Sequence, residues 1–274
     1  MKEQLKFWRN RVKKFRDNPR AVWPFIRKYL YYNQISDSYI RYYKDITFLS
    51  YEATVERILS GQVSIVRFGD EVFDMTLGIG LYFNDWRQRY DPVLAARTQE
   101  VLSSANPRLL VCFNPELILK TKAECIADGI RNEHQFWTHS RIYLKKYIHQ
   151  NQVYGRALSF HARYNPSLPY EKILNHLKTK HLIVVTSNTA RFNNGKFGLT
   201  TDYIEAPKND AWDVYPQLLA RVRATARAYA NTDVLIMASI GPTAKVMIYD
   251  LCLEGYTAWD TGQFFDLALE HLQV

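Results

Sequence analysis

Alternating strands and helices predict an α/β fold with a largely parallel sheet covered by helices on both faces. Three observations carry that expectation. Short apolar runs of buried-strand type recur, "VSIVRF", "RLLVCF", "HLIVVT" and "DVLIMAS", and segments of helical period stand between them. The chain has 274 residues, 47% of them hydrophobic, enough for one sizeable core. One domain with an appendage is therefore expected: a basic amphipathic helical segment over 1–50 and a main domain over 51–274.

The appendage is where the charge lies. Through residue 44 there are 12 bases and three acids, an excess of nine that equals the formal net charge of the whole chain, +9. The rest is balanced, so no basic track runs into the main domain, which argues against nucleic acid as a partner. Leu5, Trp8, Val12 and Phe15 fall at i, i+3, i+7 and i+10, one face of a helix with Lys and Arg on the rest. Such a helix can lie on an anionic membrane surface, each base near it contributing about 1 kcal/mol. Equally, it can dock its apolar stripe on the main domain. The tyrosine-rich "YLYYNQISDSYIRYYKD" is the expected joint.

From about residue 50 the elements follow in turn. Thr54–Ser60 is a short helix ended by Gly61, and "VSIVRF" is a strand. In "DPVLAARTQEVLSS" Asp91 is the N-cap and Pro92 the first helical residue, before the strand "RLLVCF". A polar, aromatic middle region leads to the strand "HLIVVT", with "SNTARFNNGKFG" as a loop behind it. Then "AWDVYPQLLARVRATARAYA" is helical, "DVLIMAS" a strand, "GPTAKVMIYDLCLEG" a helix and "YTAWD" a last short strand.

Several classes are disfavoured. Cys112, Cys125 and Cys252 are odd in number and lack CxxC spacing, against a disulfide framework or structural zinc and in favour of a reducing compartment. No apolar run reaches the roughly 20 residues of a membrane span, and charges stand where a signal peptide would be apolar. A cytoplasmic protein, peripheral on the inner face of the cell membrane, is the expectation.

In parallel α/β sheets ligands bind beyond the carboxyl ends of the strands. Four such ends are polar: "GDE" at 69–71, "SN" at 187–188, "SIGPT" at 239–243 and "DTGQ" at 260–263. Turn chemistry alone explains any one of them. At the third, Gly241 permits a tight turn, Pro242 suits the first helical position, and Thr243 lies in a first turn whose free N–H groups suit an anion. Lys245 adds charge nearby. Neither a Walker A loop nor a GxGxxG fingerprint is present, which disfavours an ATPase or a dinucleotide enzyme.

The first of these ends, "SIVRFGDEVFD", crowds Asp70, Glu71 and Asp74 together, and the three need open solvent or a cation. Mn²⁺ or Mg²⁺ between carboxylates and a diphosphate meets that need, acting as a Lewis acid on the departing group. Asp70 is the candidate metal ligand, and Glu71 or Asp74 the candidate general base.

"SIVRFGDEVFD", "YGRALSFHARY", "APKNDAWDVYPQLL" and "ASIGPTAKVMIYDLCLEGYTAWDTGQFFDLALEHL" resemble, in order, the GT-D-fold bacterial glycosyltransferases, over about residues 54–274. The resemblance implies a Rossmann-like domain that moves a sugar from a UDP-sugar, with a metal-linked Asp-x-Glu motif after the first strand. Arg67, Phe68, Gly69 and Asp70 match the family's Arg-Phe-Gly-Asp. Val72 then stands where the motif has glutamate, with Glu71 one position earlier. Asp260 and Gln263 stand where the family commonly shows Asp-Ile-Gly-His. Glutamine can hydrogen-bond but replaces histidine poorly as metal ligand or acid/base. Either Glu71 takes over from the missing acid, or the metal is held loosely, or it is dispensable.

The resemblance further places Asn188, Arg191, Lys208 and Asn209 toward the nucleotide, and aligns His161 and Arg163 with a Ser-Arg-Pro-Tyr segment. Trp212 and Tyr215 are expected to pack. It implies hexose transfer to a bacterial surface glycan. Because these 274 residues hold no further transferase domain, a polysaccharide or lipid-linked oligosaccharide is expected over a serine-rich protein. The altered motif leaves a second reading, a non-catalytic nucleotide-sugar-binding or partner subunit.

Overall fold

The computed structural model describes residues 12–61, 63–83, 86–129, 140–161, 165–188, 197–231 and 233–262, the side chains of Tyr29, Asn33, Asp70 and Glu71 excepted. Ten strands are described: β1 Thr47–Phe48, β2 Ser64–Arg67, β3 Leu81–Tyr82, β4 Arg87–Gln88, β5 Leu109–Phe113, β6 Val153–Arg156, β7 His181–Thr186, β8 Thr200–Glu205, β9 Val234–Ser239 and β10 Ala258–Asp260. The chain gathers into two compact units. One takes the described parts of 1–48, 68–105 and 113–154, and the other those of 49–67, 106–112 and 155–274.

In the first unit, residues 12–42 are helical almost throughout, passing through Pro19–Ala21, Val22–Arg27, a π-helical Lys28–Tyr32, Asn33–Ile35 and Ser36–Tyr42. Ala21, Lys28, Tyr32, Ser36 and Ile40 form the buried side of this stretch. Its contacts within the unit are polar as much as apolar. Asn18 Nδ2 donates to the Gly78 carbonyl at 2.8 Å, and Tyr82 Oη donates to Asp17 Oδ2 at 2.8 Å. The buried Arg141 reaches Asp37 Oδ1 at 2.6 Å, and Tyr32 packs edge-on against Tyr143. Of the predicted apolar stripe, Phe15 packs on Phe25 and Val12 is exposed, while Leu5 and Trp8 lie outside the described residues.

The helix Asp70–Thr76 starts at Gly69 and buries Val72, Phe73 and Met75. It packs on the helix Pro92–Leu102, which begins as its sequence requires: Asp91 accepts from the N–H groups of Val93 and Leu94, with Pro92 in the first turn. β3 and β4 form an antiparallel hairpin, and β1 pairs in parallel with the first half of β6.

The second unit carries a parallel sheet in the order β5-β2-β10-β9-β7-β8. Around it lie Tyr51–Ser60, Tyr170–Lys178, Tyr215–Ala226 and Pro242–Leu253. The first of these starts three residues earlier than expected, because Ser50 Oγ caps it by accepting from the Ala53 N–H. "AWDV" forms a 3₁₀ turn before the Tyr215 helix begins. β8 has no counterpart among the expected strands. Its "TTDYIE" is polar and half exposed, and it is a strand because it pairs along the full length of β7. Val55, Ile58, Ile65, Leu110, Ile173, Leu182, Val184, Leu235, Met237 and Trp259 contribute to the core. No helix among the described residues is long and apolar enough to cross a membrane.

Candidate functional site

Four neighbouring strands of the second unit end together. The sheet order β2-β10-β9-β7 and its register place Arg67, Asp260, Ser239 and Thr186 at adjacent carboxyl ends. β10 is only three residues long and pairs with β2 at a single position, Trp259 to Ile65. Side chains complete that seam. Trp259 Nε1 donates to the Val63 carbonyl at 3.2 Å, and the Arg67 N–H donates to Asp260 Oδ2 at 3.3 Å.

Asp260 is the centre of the site. It is buried, with Lys245 Nζ at 2.9 Å from Oδ2 and Arg67 Nη2 at 3.4 Å from Oδ1. Burial alone would push the carboxyl up; the Lys245 ammonium and the Arg67 guanidinium outweigh it and hold Asp260 below its ordinary value. Two cations around one anion leave a net positive charge in a largely desolvated place.

Lys245 belongs to the first turns of the Pro242–Leu253 helix. Gly241 is its N-cap with φ of 62°, a left-handed conformation that favours glycine, and no side chain among the described residues caps the helix. Lys245 Nζ also reaches back to the Gly241 carbonyl at 3.4 Å, so a cation stands where the helix dipole already favours anions. Pro242 and Thr243 are buried in this turn. Gly262 closes the far side. A Cβ there would lie 1.9 Å from Arg67 Nη2, so only glycine leaves room for the guanidinium, and the Gly262 carbonyl accepts from Ser239 Oγ at 2.9 Å. Arg67 Nη1 is tied to the Ala157 carbonyl at 3.2 Å. Two buried atoms here, Arg67 Nε and Thr261 Oγ1, have no hydrogen-bond partner among the described residues, which leaves capacity for a ligand or water.

The remaining expected residues are dispersed. Asn188 is exposed and tied by its N–H to Thr186 Oγ1 at 3.3 Å; Lys208 and Asn209 are exposed after β8. Arg191 and Gln263 lie outside the described residues, as do Arg163 and the side chains of Asp70 and Glu71. In the first unit Phe68 is fully buried with its ring 5.8 Å from that of Phe113, a packing position with no face for a ligand. Gly69 is the N-cap of the helix that carries Asp70. Val72, in the position of the motif's glutamate, is core. Asp74 is held by Lys28 at 2.5 Å and Lys14 at 3.5 Å, one lysine on each oxygen, so both of its oxygens are engaged in ion pairs. Trp212 stacks on Tyr215, whose hydroxyl donates to Asp250 at 2.5 Å, so both pack as expected.

These carboxylates bear on the metal question. Both oxygens of Asp260 and of Asp74 face N–H or ammonium donors, and among the described residues no three His, Cys, Asp or Glu side chains gather as a metal site. The described donor set fits an anionic ligand better than a divalent cation.

The glycosyltransferase GT-D fold family model matches residues 65–268, and the chain belongs to that family. Among curated proteins it is 29% identical over 248 residues to a probable glycosyl transferase, Gly, of Streptococcus gordonii, covering 83% of this chain and 34% of that protein. It is 24% identical over 231 residues to the glycosyltransferase GlyD of Streptococcus pneumoniae serotype 4 (strain ATCC BAA-334 / TIGR4), covering 77% and 26%. The chain thus spans about a third or less of the length of these relatives. Two solved structures share the fold. One is described as the highly conserved domain of unknown function 1792 with a distinct glycosyltransferase fold (TM-score 0.67, 23% identity, 87% of this chain and 86% of that one). The other is a new glycosyltransferase from Streptococcus sanguinis (TM-score 0.62, 25% identity, 83% and 85%).

Proposed function

We propose that this chain transfers a hexose from a UDP-sugar to a hydroxyl of a bacterial surface glycan, a polysaccharide or lipid-linked oligosaccharide. The observation that carries the reading is the cationic cluster of Arg67 and Lys245 about Asp260, with Arg67 Nε and Thr261 Oγ1 buried beside it without a partner among the described residues, in a member of a glycosyltransferase-fold family. As the bond from the anomeric carbon to the diphosphate breaks, negative charge grows on the departing UDP. Arg67 and the Gly241–Lys245 turn stabilise that charge before solvent can reorganise. The acceptor oxygen bonds to the anomeric carbon, and its proton passes to a base, for which Glu71 is the remaining candidate.

The test is UDP release from a panel of UDP-hexoses with a glycan acceptor, run with and without Mn²⁺ or Mg²⁺, since Asp70 is the residue through which the family resemblance would bring in a metal. Arg67→Lys is expected to lower kcat by about 10²-fold with the fold intact, the usual cost of removing one transition-state donor. No release from any donor overturns the reaction. The burial of Val72 favours a second reading, a nucleotide-sugar-binding subunit without turnover. Calorimetry separates the two: UDP binding without release supports the subunit, and absence of UDP binding removes both.

A further inference from the structure

The helical stretch of the first unit has a buried side and, apart from it, an exposed apolar side, which a helix docked on one protein surface does not need. Its inner side, Ala21, Lys28 and Tyr32, is buried. Its outer side carries Val22, Ile26 and Leu30 at i, i+4 and i+8, and in the next row Trp23, Arg27 and Tyr31. Trp23 is 68% exposed and Leu30 66%. Of the 13 large apolar side chains exposed among the described residues, six fall within residues 12–31, so the patch is concentrated there.

The bases of this stretch are sorted in the same way. Lys14 and Lys28 turn inward to Asp74. Lys13, Arg16, Arg20 and Arg27 are exposed, and the acid beside them, Asp17, is engaged by Tyr82 and Arg16. Exposed aromatic and aliphatic side chains set among outward cations match an anionic bilayer, where the rings enter the headgroup layer and long basic side chains reach phosphates. Since no described helix can span a membrane, the contact is interfacial. We infer that the outer face of residues 12–31 docks this protein on an anionic lipid surface. The inference stands on this face alone and does not need the transfer reaction.

The experiment is co-sedimentation of the full chain with vesicles, without any sugar donor, so that a failed transfer assay has no bearing on it. Vesicles of equal parts phosphatidylglycerol and phosphatidylcholine are expected to bind it, and phosphatidylcholine alone to bind it weakly. Each outward base is worth about fivefold in affinity, so Arg16→Gln with Arg20→Gln and Arg27→Gln should weaken binding by about 100-fold. Trp23→Ala with Leu30→Ala should weaken it as well; both sets lie on the surface, and circular dichroism checks their folding. Equal binding to both vesicle types, no binding, or unchanged binding by both variants overturns the inference. A dimer that is lost on Trp23→Ala, without vesicle binding, overturns it too and assigns the face to a second copy.

Discussion

Asp74 and Asp260 are each clamped between two basic side chains, but the two clamps are built differently. Asp74 sits on a short helix of the first unit, 14% exposed, and its lysines arrive from the N-terminal stretch at positions 14 and 28. Asp260 ends a strand of the second unit with its side chain 4% exposed, and its partners come from the neighbouring strand end and from the helix that precedes its own strand. The first clamp ties a chain segment to a helix. The second surrounds one anion with cations beside spare hydrogen-bonding atoms, which suits it to a charged ligand.

The sharpest way to break this contrast is to neutralise the buried anion. Asp260→Asn leaves Lys245 and Arg67 facing each other with little water, and should cost about 3–5 kcal/mol in urea unfolding. The same clamp has a pH signature. A carboxyl depressed in the fold contributes stability above its unfolded pKa, near 3.9, and that contribution is lost as the pH falls through the folded value. The acid limb of the wild-type stability curve should therefore flatten in Asp260→Asn; an unchanged limb would show that Asp260 is not the group responsible.

Asp74→Asn is expected to cost less, about 2 kcal/mol, since its partners keep some access to water. Turnover per folded molecule should be kept. A collapse of kcat at wild-type stability would restore Asp74 as a base.

The smallest stability effect sharpens the role of Arg67. Gly262→Ala places a Cβ against the guanidinium at a φ of 50°, with a cost of about 1–2 kcal/mol. Because the flexible end of Arg67 can swing aside, the larger consequence is weaker UDP binding in calorimetry. Wild-type UDP affinity would separate the guanidinium from the ligand.

Much of the framework of both units was legible. The Asp91–Pro92 helix start and the Gly241–Pro242 turn are local signals, written in side-chain caps and in φ preferences of single residues. β7, β9 and β10 announce themselves as apolar runs because they are covered on both faces. β8 was not legible, since half-exposed "TTDYIE" has no such run and only its pairing with β7 makes it a strand. Of the expected strand ends, those around 239–243 and 260–262 lie side by side in the sheet. Phe68 comes from the Arg-Phe-Gly-Asp resemblance and Asp74 from the carboxylate cluster of "SIVRFGDEVFD", and the structure buries one and ion-pairs the other.

By itself, then, the sequence determined the alternation of strands and helices, their caps, and the concentration of positive charge in the first 44 residues, because each depends on neighbours along the chain. Which carboxylate meets which cation was decided only by tertiary structure. Lys28 and Asp74 are 46 positions apart, and Arg67 and Asp260 are 193. No local pattern encodes such a pairing. Strand order and helix docking bring the charges together, and only then does burial make their attraction strong.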